Sequence, residues 1–241
     1  MPFFANGREA VVHKYINSLP PASLQNNPNA VLNAIFDHVS STKGMMIFQR
    51  AKIDKAKQIL ETMHLTPKVI LELGTYVGCS AVGWGSMLKE WYGEQAEGKG
   101  CKVVSCELEE EFCGIARDIV RLAGLDGVVG VEQGKAESTI RRLYEEGSLG
   151  KGSVDVLFID HWEDAYLSDL KVVEELGLMG KGGVVIADNT DVPGAPEYLE
   201  YVRGCERYRC ETCGTLTEEE KKEQGKGGRV KPDVLEVSWV L

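Results

Sequence analysis

No stretch of this 241-residue chain approaches the roughly 18 to 20 consecutive apolar residues of a membrane span. The opening MPFFANGREA has no basic start followed by an apolar core, so no secretory leader is expected and the chain is read as cytoplasmic. Positive charge is in short supply, with 27 Lys and Arg against 37 Asp and Glu, a formal net charge of -10. Nucleic-acid backbones and anionic membrane surfaces both reward clustered Lys and Arg, so neither is expected as a partner. The expected ligand is a small molecule, and the expected state is a monomer or weak dimer. Seven cysteines, odd in number and without small-domain spacing, argue for reduced thiols rather than a disulfide framework. Cys205, Cys210 and Cys213 form a CxxC with a third thiol nearby, but no fourth zinc ligand lies close in sequence. Strand or loop thiols are therefore preferred over a zinc site.

The remaining composition, 43% hydrophobic, supports one sizeable core and a single α/β domain over residues 1–241. Helical spacing appears at Val11, Val12, Tyr15, Ile16 and Leu19, and again at Val31, Leu32, Ile35, Phe36 and Val39, separated by Pro20, Pro21 and Pro28. The segment TKGMMIFQRAK is an apolar loop entering a helix that carries Ile53, Ala56, Ile59, Leu60 and Met63. Met45, Met46 and Phe48 fit either core or a pocket wall, since soft side chains at loop–helix junctions line ligand sites.

The chain is organised around VILELGTYVGCSAV, residues 69–82, which reads as a strand, a glycine turn through Gly74 and Gly78, and a helix start. Such a turn lets backbone approach a ligand and presents a helix N-terminus to an anion, so a nucleotide-like cofactor is the candidate. The turn is not the GxGxxG fingerprint. After it the pattern alternates: strands at 102–108, 128–134, 154–162 and 183–189, helices at 110–124, 137–146 and 167–179. That alternation predicts a doubly wound, mostly parallel sheet covered on both faces. Two late strand-like runs, 208–216 and 233–240, are joined by TEEEKKEQGKGGRVKP without a helical crossover, which predicts an antiparallel pair at one edge. The charged linker is read as a solvated loop.

Ligands of open parallel sheets collect beyond the carboxyl ends of the strands, and four of these ends carry acids. Glu72 lies near the end of the first, Glu107 ends the second, Asp160 the fourth, and Asp188 with Asn189 the fifth. Glu107, one helical crossover after Glu72, suits a carboxylate accepting ribose hydroxyls, with a helix cap as the alternative. Asp160, Asp188 and Asn189 are hard oxygen ligands that suit magnesium or calcium, or else helix N-caps. Two carboxylates gathered at one sheet end repel without a cation or shared proton, which favours the metal.

With these residues in hand, the chain resembles the catechol O-methyltransferase family. The likeness is carried by ELGTYVGCSAV, CELEEEF, FIDHWEDAYLSDL and ADNTDVPGAPEYLEYVRG, and it runs from about residue 9 to 204. The combination of DHW, ADN and VPGxPxxLxYVRG is specific. The resemblance implies a Rossmann-like core over 65–241, with the helices of 1–64 forming part of the pocket. It implies S-adenosylmethionine bound against Phe48, Glu72, Gly74, Tyr76 and Ser80, its ribose on Glu107. Ala136, Glu137, Asp160, His161 and Trp162 would also contact the cofactor, Trp162 against the adenine face. Asp160, Asp188 and Asn189 match magnesium ligands, and Met46, Trp162, Asn189 and Pro193 match walls of a pocket for a catechol or other vicinal diphenol. The implied reaction is in-line attack of a metal-acidified phenol on the sulfonium methyl.

The chain departs from the pattern where the family has a lysine base after DHW, because Glu163 stands there. A carboxylate with a reference pKa of about 4.3 is a weak base towards a phenol of about 10. The resemblance therefore allows two readings, a magnesium-dependent methyltransferase or a cofactor-binding protein that does not methylate catechols efficiently. Gly44 replaces a gatekeeping tryptophan, which implies a wider pocket mouth. Glu218, with Glu219 and Glu220 as alternatives, matches a substrate-binding glutamate.

Overall fold

The computed structural model describes residues 7–42, 45–215 and 234–241. Four helices, α1 (Arg8–Ser18), α2 (Pro21–Leu24), α3 (Pro28–Thr42) and α4 (Arg50–Thr62), precede the first strand. Strands and helices then alternate: β1 (Val69–Leu73), α5 (Cys79–Tyr92), β2 (Lys102–Glu107), α6 (Glu110–Leu122), β3 (Val129–Gln133), α7 (Ala136–Glu145), β4 (Val156–Ile159), α8 (Tyr166–Glu175) and β5 (Val184–Ala187). Helix α9 (Pro196–Gly204), β6 (Tyr208–Gly214) and β7 (Val234–Val240) complete the described chain.

The central strands are short apolar runs because both faces of the sheet are covered. Alternate residues of each strand enter opposite layers. Ile70, Val103, Val156, Phe158, Val184 and Ile186 pack with the buried faces of α1, α3, α4, α5 and α6. Leu71, Leu73, Val104, Leu157, Ile159 and Val185 pack with α7, α8 and α9. Phe158 is the centre of the first layer, with Phe48 and Trp84 in edge-to-face contact at 4.8 and 5.3 Å between ring centroids.

The seven strands run in the order β3-β2-β1-β4-β5-β7-β6. β1 to β5 are mutually parallel, while β7 is antiparallel to both β5 and β6. The sheet is thus the mostly parallel, doubly wound α/β architecture expected from the alternation, with the expected antiparallel pair at its C-terminal edge. The last strand enters between β5 and β6, leaving β6 outermost. Strand order reverses between β1 and β4, which makes the crevice beyond their carboxyl ends the ligand-binding position of this topology.

Three local features differ from the sequence reading. The strands expected at 154–162 and 183–189 are only the four-residue β4 and β5, because Asp160 and Asp188 already belong to the turns that follow. Helix α9 went unread, although Pro196 at its first turn and buried Tyr198 and Val202 at i, i+4 mark an amphipathic helix. The proline-rich break after α1 contains a one-turn helix with Pro21 at its start. The late cysteines also resolve. Cys210 packs with the α7–α9 layer and Cys213 with the opposite one, so they cannot share a metal, and no group of three or more His, Cys, Asp or Glu among the described residues is arranged for one. Gly44, Glu218, Glu219, Glu220 and the charged linker lie outside the described residues. No helix among the described residues is long and apolar enough to cross a membrane.

The tightest backbone approach in the crevice joins its two sides. Gly74 sits at φ 97°, and a Cβ placed there would lie 2.2 Å from the Asp160 carbonyl oxygen. Since the obstacle is main chain, it cannot rotate away. Gly74→Ala is expected to lower unfolding free energy by about 2 kcal/mol or more, from combined overpacking and φ strain; an unchanged urea midpoint would show that the β1 and β4 turns can separate freely.

Candidate active site

The turn after β1 is held from beneath by buried polar groups. Glu72 is fully buried, its Oε2 accepting a hydrogen bond from Ser105 Oγ on β2, and Ser105 in turn meets Thr75 Oγ1. Glu72 Oε1 has no hydrogen-bond partner. Burial raises the Glu72 pKa to about 7, against the opposing effect of hydrogen bonds from Ser105 and Ser80. A buried carboxyl group with one unpartnered oxygen beneath a glycine turn would have its ionised form stabilised by a cationic donor placed there.

Above it, Glu107 Oε2 accepts the Tyr76 amide at 2.7 Å and Oε1 accepts the Glu109 amide at 2.9 Å, so this carboxylate fastens the β1 and β2 turns together. Tyr76 is one of two non-glycine residues at the site with left-handed backbone, φ 50°, and the other is Asn189, φ 54°. Asparagine tolerates that conformation; a tyrosine there needs support from its surroundings. Support comes from α1 and α6, since the Tyr76 hydroxyl donates to buried Glu9 of α1 at 2.6 Å and its ring meets Phe112 of α6 edge-on. A cavity of about 30 Å³ opens at this turn, lined by Met46, Phe48, Gly74, Tyr76, Ser80 and Asp160 among others. Six residues singled out from the sequence therefore share one wall. The larger groove, about 820 Å³ between α3, α4 and the end of β6, holds none of them.

Beyond β4 and β5 lie the two aspartates. Register pairs Ile159 with Ala187, so Asp160 and Asp188 leave adjacent parallel strands side by side, roughly 4.8 Å apart in backbone. Burial and the Asp188 charge push the Asp160 pKa well up, while Lys52 opposes the shift. Lys52, 5% exposed, reaches in from α4 and places its ammonium 2.7 Å from each Asp188 oxygen. Asp188 Oδ1 also accepts the Asn189 amide at 2.8 Å, and its carbonyl accepts the Tyr166 hydroxyl at 3.0 Å. The site thus recruits a cation from its own chain. Two carboxylates and a neighbouring amide oxygen are hard donors, the chemistry that fits a magnesium-type ion.

The other sequence-indicated residues take separate positions. His161 bonds Asp169 at 2.7 Å through Nε2 and stacks on Tyr166. Trp162 is 51% exposed, with its indole N–H donating to Asp164 at 3.0 Å. Glu163 begins a short turn before α8 and adds negative charge that raises the Asp160 pKa further. Of the three residues that the sequence left between core and pocket wall, Phe48 is buried and also lines the small cavity, Met46 is exposed at that cavity, and Met45 packs partly buried against the first layer and lines the larger groove. Pro193 lies exposed in the turn of residues 190–194 that follows Asn189. Ala136 and Glu137 open α7 beyond β3, where exposed Glu137 pairs with Arg141, away from the small cavity.

The profile of a family described as O-methyltransferase matches residues 37–197. The chain belongs to the O-methyltransferase family. Within it the chain falls with the catechol O-methyltransferase-like members. It is 38% identical over 146 residues to catechol O-methyltransferase B of Danio rerio, covering 61% of this chain and 51% of that one. Against catechol O-methyltransferase of Sus scrofa it is 37% identical over 158 residues, covering 65% of this chain and 79% of that one. The chain thus spans about half of the zebrafish relative and most of the pig one. Its fold is shared with an O-methyltransferase of Bacillus cereus solved in complex with SAH, at a TM-score of 0.64 and 19% identity over 96% of this chain and 97% of that one. The family is one of S-adenosylmethionine-dependent enzymes.

Lys52, Ser105, Glu9 and Asp169 are the site partners that sequence reading missed. Lys52 had a legible signal. It stands at i, i+4 and i+7 with Ala56 and Ile59, a lysine on the apolar stripe of α4, and such a lysine needs a buried acid. Ser105 and Glu9 had none, since their partners lie on other elements. The raised Glu72 pKa gives a signed prediction. Stability conferred by the protonated acid is complete below its ordinary pKa of 4.5 and is lost as pH rises through about 7, by about 3 kcal/mol. Glu72→Gln is expected to match wild type near pH 4.5 and to melt higher at pH 8; parallel melting curves across that range would refute the buried-acid assignment.

Proposed function

We propose that the chain is a magnesium-dependent O-methyltransferase that moves a methyl group from S-adenosylmethionine to one hydroxyl of a catechol or other vicinal diphenol. The observation that carries the reading is the junction at the β1–β4 switch point, where the Gly74–Ser80 cavity shares Asp160 with the paired aspartates. A cofactor site and a cation site that meet at one residue suit transfer between a bound donor and a metal-held acceptor.

Glu72 would take the cofactor's ammonium group on its unpartnered oxygen, with Ser80 and the turn amides around it. Glu107 would accept the ribose, Trp162 would cover the adenine, and Phe48 would bring its backbone to the cofactor carboxylate. Ala136, Glu137 and His161 would complete the adenosine contacts. Asp160, Asp188 and Asn189 would hold the metal. Bound there, magnesium supplies acidification of a phenol, and the sulfonium cofactor supplies the methyl. The remaining work falls to the chain: Tyr166 and Lys52 fix the end of β5, Tyr76 is braced by Glu9 behind the cofactor turn, and Met46, Asn189 and Pro193 form the acceptor wall. The cavity has room for about one water, so its walls must part to admit a ligand, and exposed Met46 is the side with least packing against it.

Glu163, at the family's lysine position, would accept the phenol proton, and Glu218 remains the proposed substrate contact beyond the described residues. The negative charge of Glu163 near Asp160 supports one further reading, a chain that binds the cofactor without efficient methylation. Mass spectrometry after incubation with S-adenosylmethionine, magnesium and a panel of catechols decides between them. Monomethylated product that vanishes with a chelator is expected, as is its loss in Asp188→Ala. Glu163→Lys is expected to raise the rate about 10²-fold. Calorimetric cofactor binding with no product from either wild type or Glu163→Lys would overturn the methyltransferase reading.

A further inference from the structure

Strand β6 is outermost in the sheet, and its free edge has no part in the reaction proposed above. Which of its backbone groups are spent on β7 follows from the ladder between them. The Leu241 amide donates to the Arg207 carbonyl at 2.9 Å, and register sets Arg209 opposite Trp239 and Glu211 opposite Val237. Hydrogen-bonded pairs recur at every second residue of an antiparallel ladder, so Arg209 and Glu211 turn their amides and carbonyls towards β7. Those of Tyr208, Cys210 and Thr212 point the other way, out of the sheet. The Tyr208 amide bends back to the Cys205 carbonyl at 3.1 Å. Among the described residues no further strand lies along this edge. An open row of donors and acceptors is a template for another strand.

The side chains select which strand. Arg209 and Glu211 are both exposed on one face of β6, the Arg209 guanidinium lying over the Trp239 ring at 4.9 Å from its centroid. If a second β6 runs antiparallel along the edge, outward-facing residues must meet outward-facing residues, so the two-fold axis passes through a residue. An axis at Arg209 or Glu211 sets that charge against its own copy. At Tyr208 it sets Arg209 against Arg207, and at Thr212 it gives neither charge an opposite partner. Only an axis at Cys210 brings Arg209 to Glu211 of the second copy and Glu211 to its Arg209. These are non-hydrogen-bonded positions, where opposed side chains come closest. We infer that β6 is a homodimerisation edge, through which two copies of the chain join their seven-stranded sheets about a two-fold axis at Cys210. A strand of another protein has no need to match both charges, whereas a second copy matches each of them by symmetry. β5 and β7 stand between β4 and this edge, so pairing leaves the switch-point crevice clear. One strand edge buries little apolar surface and its ion pairs are exposed, so the dimer is expected to be weak and concentration-dependent.

Sedimentation equilibrium of the purified chain reads the association. At about 0.15 M salt the Debye length is about 8 Å, which screens the repulsion between two chains of net charge -10. The mass is expected to rise with concentration from 26.5 kDa towards that of a dimer. Arg209→Glu and Glu211→Arg each oppose like charges at two places, and each is expected to weaken association about tenfold or more. Mixed in equal amounts, each variant supplies the charge that the other lacks, and association is expected to return to the wild-type level. Hydrogen exchange reads the edge itself: the Cys210 and Thr212 amides are expected to slow as the concentration rises. A wild-type chain that stays monomeric up to about millimolar concentration, an association that neither reversal weakens, or a mixture no tighter than its components would overturn the inference. So would unchanged exchange at those two amides in the associated protein, since the contact would then lie on another surface.

Discussion

Parallel pairing of β4 with β5 sends Asp160 and Asp188 out of the sheet next to each other, and the chain cannot leave two such charges bare in a crevice. Much of the surrounding structure answers that repulsion. Helix α4 is placed so that Lys52 reaches Asp188, Tyr166 at the head of α8 ties down the same turn, and the Asn189 amide folds back onto the carboxylate in a left-handed conformation. Asp160 meets the same problem with a raised pKa rather than a partner of its own.

The N-terminal helices belong to this solution. Two of them, and the segment before α4, each send one side chain into the switch-point region: Glu9 from α1 to the Tyr76 hydroxyl, Lys52 from α4 to Asp188, and Phe48, just before α4, to Phe158 at the centre of the sheet. The βα alternation builds the platform, and the helices that precede it complete the chemistry. Without them Tyr76 would lack its brace and Asp188 its counter-charge.

The division between what sequence disclosed and what it concealed follows the same lines. Apolar runs such as VILEL and VLFI, with turn residues between, made the parallel sheet legible because burial on both faces leaves an unbroken hydrophobic signature. Acids at strand ends were legible for the complementary reason: nothing in a buried strand calls for Glu107 or Asp188, so their presence signals a task. Partners contributed across the fold were not. Ser105 reads as one more small residue in KVVSCE until β2 lies beside β1, and Glu9 looks like an ordinary acid in the first turn of a helix. Lys52 lay between the cases, visible to anyone asking why an apolar stripe carries a lysine. Helix α9 was hidden by its brevity, since nine residues give its apolar stripe only two buried positions.

The contact between Gly74 and the Asp160 carbonyl leaves no space even for a methyl group, which makes the two turns a single piece of backbone architecture. The side chains of Met46, Val192 and Pro193 are by contrast exposed. Sequence can therefore change at those exposed positions at little structural cost, while the turn against β4 is held by main-chain atoms that no point mutation replaces.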